Sequence, residues 1–147
     1  MSDIYTEIKN DHDNHRLLLD KLVQTEGDSP ERARLFAELK EDVTAHADAE
    51  EQTFYAALIA KPDAQEQARH SVAEHKDAAD LIEELEDTDF SSPGWLATAR
   101  KLCDELKHHM DEEEEDVFEL GRKLIPADEA DKLGTDFRNR KKKELAA

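Results

Sequence analysis

Two histidine–glutamate pairs recur with the same spacing in the two halves of this 147-residue sequence. His46 and Glu50 form the first HxxxE pair, and His109 and Glu113 form the second. Residues four positions apart on an α-helix share one face, so each pair can direct both side chains at one target. Imidazole nitrogens and carboxylate oxygens are both ligands of transition-metal ions. One such pair is common on helices, but a repeated one favours a metal site.

An internal repeat extends the pattern beyond these two pairs. A shift of 63 residues, the separation of His46 from His109, superimposes one half of the chain on the other without a gap. The same shift lays His12 on His75 and aligns two Ser-Pro dipeptides. The candidates for metal ligands are therefore His12, His46, Glu50, His75, His109 and Glu113. A repeat of this kind predicts two similar helical hairpins stacked into one bundle.

Helices must position these residues, and the composition favours helices. The chain has only 4 Gly and 4 Pro, with 37% hydrophobic and 39% charged residues, which is typical of amphipathic helices. Apolar residues at spacings of three and four predict helices near residues 3–26, 30–60, 63–88 and 93–124. We expect an all-α fold, with a four-helix bundle over residues 1–126 and a short C-terminal helix and basic tail over residues 127–147.

The candidate ligands fall on the apolar stripes of their helices, and counting from the turns places them at one level of the bundle. Two carboxylates buried without a counter-charge would be very costly, and imidazoles could neutralise them only in part. The set is too large for one tetrahedral zinc, but it suits two ions bridged by Glu50 and Glu113. Nitrogen and oxygen ligation in a four-helix bundle favours iron first and manganese second, with zinc a further alternative.

The order and spacing of these motifs resemble the hemerythrin-like, or HHE cation-binding, domain family. The resemblance covers about residues 4–124 and rests on His12 after an acidic residue, "HADAEE", "EH" with His75, and "HMDEEE". It implies an up-down-up-down four-helix bundle with a non-heme di-iron centre that meets dioxygen or related small molecules. It also implies that His12 and His46 bind one iron, that His75 and His109 bind the other, and that Glu50 and Glu113 bridge them.

The sequence departs from the oxygen-carrying hemerythrins at two points. Those proteins have a further histidine one turn before the third-helix ligand, where this chain has Ser71. His70 lies about 140° around the helix from His75 and cannot take its place without a bulge. The carriers also use a longer spacing to aspartate in the last motif. Both differences leave coordination positions to water or substrate, which suits activation of a ligand as well as reversible binding.

Three functions are therefore compatible with the sequence. The first is a di-iron protein that binds dioxygen, peroxide or nitric oxide, where a peroxide-degrading or oxidase-like activity is one interpretation. The second is a non-catalytic metal store or sensor that signals to a partner protein. The third is a helical interaction module whose histidines respond to pH and bind no metal.

Other polar residues near the predicted centre have weaker assignments. His15 lies one turn after His12 and is a candidate for contact with a ligand or for a spare ligand. Tyr55 lies one turn after Glu51 and is a candidate hydrogen-bond donor near the metals, although core packing explains it equally well. His108 and the acids around Glu113 are assigned to the solvated face of their helix.

Charge and apolar pattern exclude some partners. A net charge of −18 would repel nucleic acids and anionic membrane surfaces, so we expect neither as a partner. The longest apolar run, "FYAALIA", is far shorter than the roughly 20 residues that cross a bilayer. A single cysteine and an N-terminus without a signal-peptide pattern favour a cytoplasmic location. We expect a monomer or a weak homo-oligomer.

Overall fold

The computed structural model describes residues 2–147, and every regular element in this range is helical. Helix α1 spans Ile4–Leu22. Helix α2 begins with Pro30–Glu50 and continues through a π-helical turn, Glu51–Tyr55, into Ala56–Ile59. A 3₁₀ turn, Pro62–Ala64, precedes α3, Gln65–Glu86. Helix α4 consists of Pro93–Glu112, a second π-helical turn, Glu113–Val117, and Phe118–Leu124, and α5 spans Ala127–Ala146.

The first four helices form the predicted four-helix bundle. Each helix contacts the next along the chain, and α1 also contacts α4, so the four close into one bundle with antiparallel neighbours. Helix α5 lies across α1 and α2 on the outside of the bundle. The all-α prediction is therefore confirmed, and the fifth helix covers one side of the first hairpin.

The starts of α2 and α4 agree with the sequence, whereas the end of α1 does not. The hydroxyl oxygens of Ser29 and Ser92 accept hydrogen bonds from the first turns of α2 and α4, and proline follows each serine. Helix α1 ends at Leu22, although the sequence predicts it to about residue 26. The cause is tertiary, because the Arg32 guanidinium donates to both Thr25 Oγ1 and the Thr25 carbonyl and holds that residue outside the helix.

The C-terminal helix is longer than predicted. We expected a short helix followed by a basic tail, but α5 runs for 20 residues through the basic run to Ala146. Several of its cations pair with acids of the bundle or of α5 itself. Arg138 contacts Glu7, and Lys141 contacts both Asp11 and Asp42. These ion pairs hold the last turns of α5 against α1 and α2, which a solvated tail would not allow.

The hydrophobic core consists of two clusters separated along the bundle axis. One cluster lies towards the α1–α2 and α3–α4 turns and includes Leu39, Trp95 and Leu102. The other lies at the opposite end and includes Ile8, Phe54 and apolar residues of α5. The predicted ligands occur in the intervening turn of each helix, so a polar layer lies between two apolar ones.

Among the described residues, none of the helices is both long enough and apolar enough to cross a membrane.

Candidate metal centre

The six predicted ligand residues converge in the polar layer as two overlapping groups of metal-binding atoms. The members of a group offer donor atoms that all lie within 4.8 Å of one another. One group contains His12, His46, Glu50 and Glu113, and the other contains Glu50, His75, His109 and Glu113. Both glutamates belong to both groups, so they lie between the two pairs of histidines. This is the arrangement that two metal ions sharing carboxylate bridges require.

The inner nitrogen of each histidine faces a glutamate. Glu50 is approached by one histidine of its own helix and one of α3, and Glu113 by one of its own helix and one of α1. The Nε2-to-carboxylate distances are 3.3 Å for His46 and 2.9 Å for His75 at Glu50, and 3.8 Å for His109 and 3.0 Å for His12 at Glu113. Each glutamate therefore contacts one histidine from each donor group.

The outer nitrogen of each histidine bonds to a second set of carboxylates. The Nδ1 contacts are His12 to Glu114 at 2.7 Å, His46 to Asp11 at 2.7 Å, His75 to Glu51 at 2.8 Å and His109 to Glu74 at 2.8 Å. Such carboxylates fix the orientation of metal-ligating histidines and raise their basicity. The prediction that the acids beside Glu113 form only an exposed face is wrong for Glu114. The internal repeat carried the signal, since it aligns Asp11 with Glu74 and Glu51 with Glu114.

Buried polar atoms without hydrogen bonds show that the residues fit a cation. Glu50 and Glu113 are fully buried. Both carboxylate oxygens of Glu50, Oε1 of Glu113 and Nε2 of His12 make no hydrogen bond of regular geometry among the described residues, so their contacts given above are close approaches of donor atoms. Buried carboxylate oxygens are costly unless they are paired or bind a metal. These atoms belong to residues of the donor groups, where a cation would satisfy them.

Comparison with known proteins agrees with this geometry. Residues 3–120 match the hemerythrin HHE cation binding domain. The chain belongs to this family. The expected resemblance is thereby confirmed, and the family together with the two His/Glu groups establishes that this HHE domain binds metal cations.

A solved structure supports the fold of the HHE domain in detail. It is a hemerythrin HHE cation binding domain-containing protein, the Rv2633c homolog from Mycobacterium kansasii. The two share 27% identity with a TM-score of 0.88, over 99% of this chain and 89% of the other. A curated relative, a DNA nickase of Nostoc sp. (strain PCC 7120 / SAG 25.82 / UTEX 2576), is 27% identical over 139 residues. That match covers 92% of this chain but only 38% of the nickase.

Neighbouring carboxylates in the HHE domain favour the protonated form of His46 and His75, at the positions where a metal would bind. Burial lowers the pKa of His46, but Glu50 and Asp11 outweigh it and raise the pKa to about 10. Burial also opposes the rise of the His75 pKa to about 10, which Glu50 and Glu51 cause. Burial raises the pKa of Glu50, yet His46 and His75 bring it well below its ordinary value. A metal cation would replace these protons, because it binds neutral imidazole.

Tyr55 donates its hydroxyl hydrogen to Oε2 of Glu113. Burial, followed by the charges of Glu113 and Glu50, raises the Tyr55 pKa well above 10, so the phenol keeps its proton. The side chain is completely buried, and its ring lies 5.7 Å from the His75 ring. Ser71, at the position where oxygen carriers have a histidine, is buried and acts to lower the Tyr55 pKa, against the larger effect of burial. The sequence suggests either a hydrogen-bond donor near the metals or core packing for Tyr55, and the structure shows both a buried ring and a hydrogen bond to Glu113.

His15 lies beside the centre but belongs to neither donor group. Its Nε2 is 2.6 Å from Asp42 Oδ2, and its ring packs edge-on against His46 at 5.2 Å. Burial lowers the His15 pKa and outweighs the hydrogen bond to Asp42, which acts in the opposite direction. The structure therefore gives His15 a supporting contact with a candidate ligand and directs its ring nitrogen away from the donor groups.

A π-helical turn occurs at each of the two glutamates that belong to both donor groups. The turn Glu51–Tyr55 follows Glu50, and the turn Glu113–Val117 begins at Glu113 itself. A π-helical turn adds a residue to the helical repeat and is frequent at functional sites. The extra residue allows two consecutive apolar residues after each glutamate to be buried, and these are Phe54 and Tyr55 in α2 and Val117 and Phe118 in α4. The sequence predicts regular helices here, so both turns are additions from the structure.

A small cavity of about 30 Å³ adjoins the donor groups. The four candidate histidines and His15 line it together with Val43, Leu106 and Met110. A space of this size holds one or two molecules as small as water. The walls are apolar apart from the imidazoles, so the cavity suits a small molecule that reaches the centre.

Helix α5 covers the side of the centre next to His46. The Phe137 ring packs edge-on against the His46 ring at 5.3 Å. Lys141 Nζ lies 3.0 Å from Asp11 and 2.9 Å from Asp42, which hold His46 and His15 respectively. Lys141 was assigned to a basic tail from the sequence, and its contact with the carboxylates around the centre could not be found from helical periodicity.

Proposed function

We propose that the centre holds two iron ions and reacts with dioxygen or a related small molecule. His12 and His46 would bind one iron, His75 and His109 the other, and Glu50 and Glu113 would bridge them. The observation that carries this proposal is that both fully buried glutamates belong to both donor groups. A single metal ion would occupy only one donor group. The two histidines of the other group would then face Glu50 and Glu113 without a metal.

The donor set supports iron over the alternatives. Each group offers two imidazole nitrogens and carboxylate oxygens from two glutamates, and such mixed sets suit iron and manganese in helical bundles. Zinc in structural sites prefers four ligands and tetrahedral geometry, without shared carboxylates. When bound, a pair of irons supplies the redox chemistry that dioxygen and peroxide require.

The side chains around the centre determine which molecule meets it. Val43, Leu106 and Met110 form an apolar wall to the small cavity and exclude all but small molecules. Tyr55 keeps a proton on its hydroxyl next to Glu113, so a hydrogen-bond donor is fixed beside the centre. Peroxide, dioxygen and nitric oxide all fit a space of about 30 Å³, and we propose them as the class of ligand.

The test is the reaction of iron-loaded protein with each ligand. Reduced, iron-loaded protein is mixed with dioxygen or hydrogen peroxide while the absorption spectrum and peroxide concentration are followed. We expect a change in the iron absorption with either ligand, together with turnover of peroxide if the domain is an enzyme. If the absorption spectrum of the iron-loaded protein did not change with either ligand, the proposal would be contradicted. A metal store or sensor would then be favoured.

A matched pair of variants separates the centre from the acidic surface beside it. Glu113→Ala removes a bridge and should lose at least one of the two irons. Glu115→Ala lies two residues away, is exposed and should keep both. Equal iron content in the two variants would show that Glu113 does not bridge. Circular dichroism of both variants confirms that they are folded.

The similarity to the DNA nickase does not extend the proposal to DNA. The chain spans 38% of the length of that protein, so the rest of the nickase has no counterpart in this match. The net charge of −18 also opposes contact with a phosphate backbone. We therefore confine the proposed function to the metal centre and its small ligands.

A further inference from the structure

A third group of metal-binding atoms lies outside the buried centre, on the surface between α3 and α4. Donor atoms of His70, Glu74 and Glu112 lie within 4.8 Å of one another. His70 Nε2 is 3.5 Å from Glu74 Oε2 and 3.2 Å from Glu112 Oε1. His108 Nε2 lies 3.3 Å from the other oxygen of the same glutamate, Glu112 Oε2. His70, Glu74 and Glu112 thus form one donor group, and His108 lies beside it on the other oxygen of Glu112.

The spacing of these residues explains why they converge. His70 and Glu74 form an HxxxE pair on α3, and His108 and Glu112 form another on α4. Each pair therefore shares one helical face, and the two helices are in contact. His70 cannot reach the buried centre, and His108 points away from it. The same geometry that excludes both from the centre brings them together at the surface.

The two carboxylates are held in place while the imidazoles remain accessible. The side chains of Glu74 and Glu112 are each 20% exposed, whereas His70 is 53% and His108 is 72% exposed. Glu74 Oε1 bonds to His109 Nδ1 at 2.8 Å, and Gln67 donates to Glu112 Oε1 at 3.0 Å. These contacts fix two carboxylates on adjacent helices, so a cation would meet an ordered pair of oxygens.

Lysine and arginine side chains of the described residues do not pair with these two carboxylates. Within the described chain, neither Glu74 nor Glu112 forms an ion pair with lysine or arginine, and histidines are their ion-pairing partners. A groove of about 340 Å³ beside them is lined by further acids, including Asp77, Asp104 and Glu105. Acids concentrated along a groove attract cations.

We propose that His70, Glu74 and Glu112, with His108 beside them, form a separate surface site for one divalent transition-metal cation of the zinc class. One nitrogen and two oxygen donors supply three ligands of a tetrahedral zinc, and His108 or water would supply the fourth. Magnesium and calcium prefer sites made of oxygen ligands alone, so they fit this set poorly. The site uses Glu74 Oε2 and leaves Oε1 on His109, which means that it can be filled without displacing that contact. The proposal does not depend on which metal the buried centre holds.

The test is a calorimetric titration of Zn²⁺ into protein whose buried centre is already loaded. The metal of the centre is counted before and after the titration, so that exchange into the centre is detected. We expect one additional Zn²⁺ per chain. In the double variant His70→Ala/His108→Ala, the affinity for this ion should fall by about tenfold or more, because the imidazole of the donor group and the imidazole beside it are both lost.

A double variant on the same two helices provides the control. Arg69→Ala and Lys101→Ala replace exposed residues of α3 and α4 that lie outside the cluster, and the extra Zn²⁺ should bind as in the original chain. Excess Mg²⁺ should not displace it. Equal Zn²⁺ binding by the two double variants, or displacement by Mg²⁺, would overturn the surface site. The comparison of Zn²⁺ binding between the two double variants does not depend on whether the centre keeps iron. A centre that failed to keep iron would count against the proposed function, and not against the surface site.

Discussion

At the scale of single residues, the two ring nitrogens of each candidate histidine have different tasks. Nε2 faces one of the two glutamates shared by the donor groups, and Nδ1 bonds to a carboxylate on a neighbouring helix. The inner side of this arrangement follows from the sequence, because spacing and repeat select the six residues. The outer side was not predicted: the repeat aligns Asp11 with Glu74 and Glu51 with Glu114, but the histidine that each acid contacts depends on how the helices pack.

Removing the Tyr55 hydroxyl should lower the free energy of unfolding of the metal-free protein. Tyr55→Phe deletes the donor to buried Glu113, and a hydrogen bond to a charged group contributes about 1–3 kcal/mol. We expect the free energy of unfolding in urea to fall by that amount. The control is Tyr5→Phe, because the Tyr5 hydroxyl is buried without a hydrogen-bond partner in the described chain. A control that loses as much stability as Tyr55→Phe would contradict the assignment.

The histidines of the centre predict how stability depends on pH without metal. Folding raises the pKa of His46 and of His75 from 6.5 to about 10. A group whose pKa rises on folding stabilises the folded state fully below its unfolded pKa and loses that effect as the pH rises through its folded pKa. The free energy of unfolding of metal-free protein should therefore decrease between pH 6.5 and pH 10.

Metal-loaded protein should show the opposite trend over the same range, because metal binding displaces those protons and is favoured at higher pH. Urea unfolding of both forms at several pH values measures the two trends. Parallel curves for metal-free and loaded protein would contradict the proposal that metal and protons compete for these histidines.

At the scale of helices, local signals predicted the bundle and tertiary contacts modified it. The Ser-Pro starts of α2 and α4 need only local chemistry and are confirmed. The two π-helical turns could not be predicted, since they depend on packing two consecutive apolar residues into the core. The length of α5 was also missed, because Lys141 and Arg138 are held by acids that lie more than 90 residues away in the sequence.

A substitution at Gly134 tests whether α5 is firmly docked on the bundle. A Cβ at Gly134 would lie 2.7 Å from the Asp3 carbonyl carbon, where backbone atoms leave no room. We expect Gly134→Ala to lower the free energy of unfolding by about 1–3 kcal/mol, as overpacking usually does. Thermal unfolding of the loaded protein measures the effect.

Gly94→Ala is the control for this substitution. Its Cβ would meet only Ser92 Oγ at an ordinary 3.6 Å, and alanine favours the helix. Thermal stability should be unchanged or slightly higher. If Gly134→Ala were as harmless as the control, α5 would not lie tightly against the start of α1.

At the scale of the whole molecule, charge and burial divide the protein into an acidic exterior and one polar layer inside. The acidic surface follows from composition alone, and the layer follows from the repeat, so both were predictable. What the sequence could not supply is the second use of the HxxxE spacing, at the surface, where His70 and His108 meet Glu112. Their convergence depends on the relative rotation of α3 and α4, which periodicity within one helix does not determine.

The net charge of −18 predicts that the chain does not bind duplex DNA at physiological ionic strength. Three of the cations of α5, Arg138, Arg140 and Lys141, are already paired with acids. Fluorescence anisotropy with a labelled duplex checks this. Salt-dependent binding by the folded, metal-loaded chain would show that a basic surface had been overlooked.

The central claim, a di-iron centre built from two overlapping donor groups, is tested most directly by counting iron. Protein produced with iron and purified without oxygen should contain two irons per chain. Folded protein that contains one iron or none under these conditions would contradict the claim.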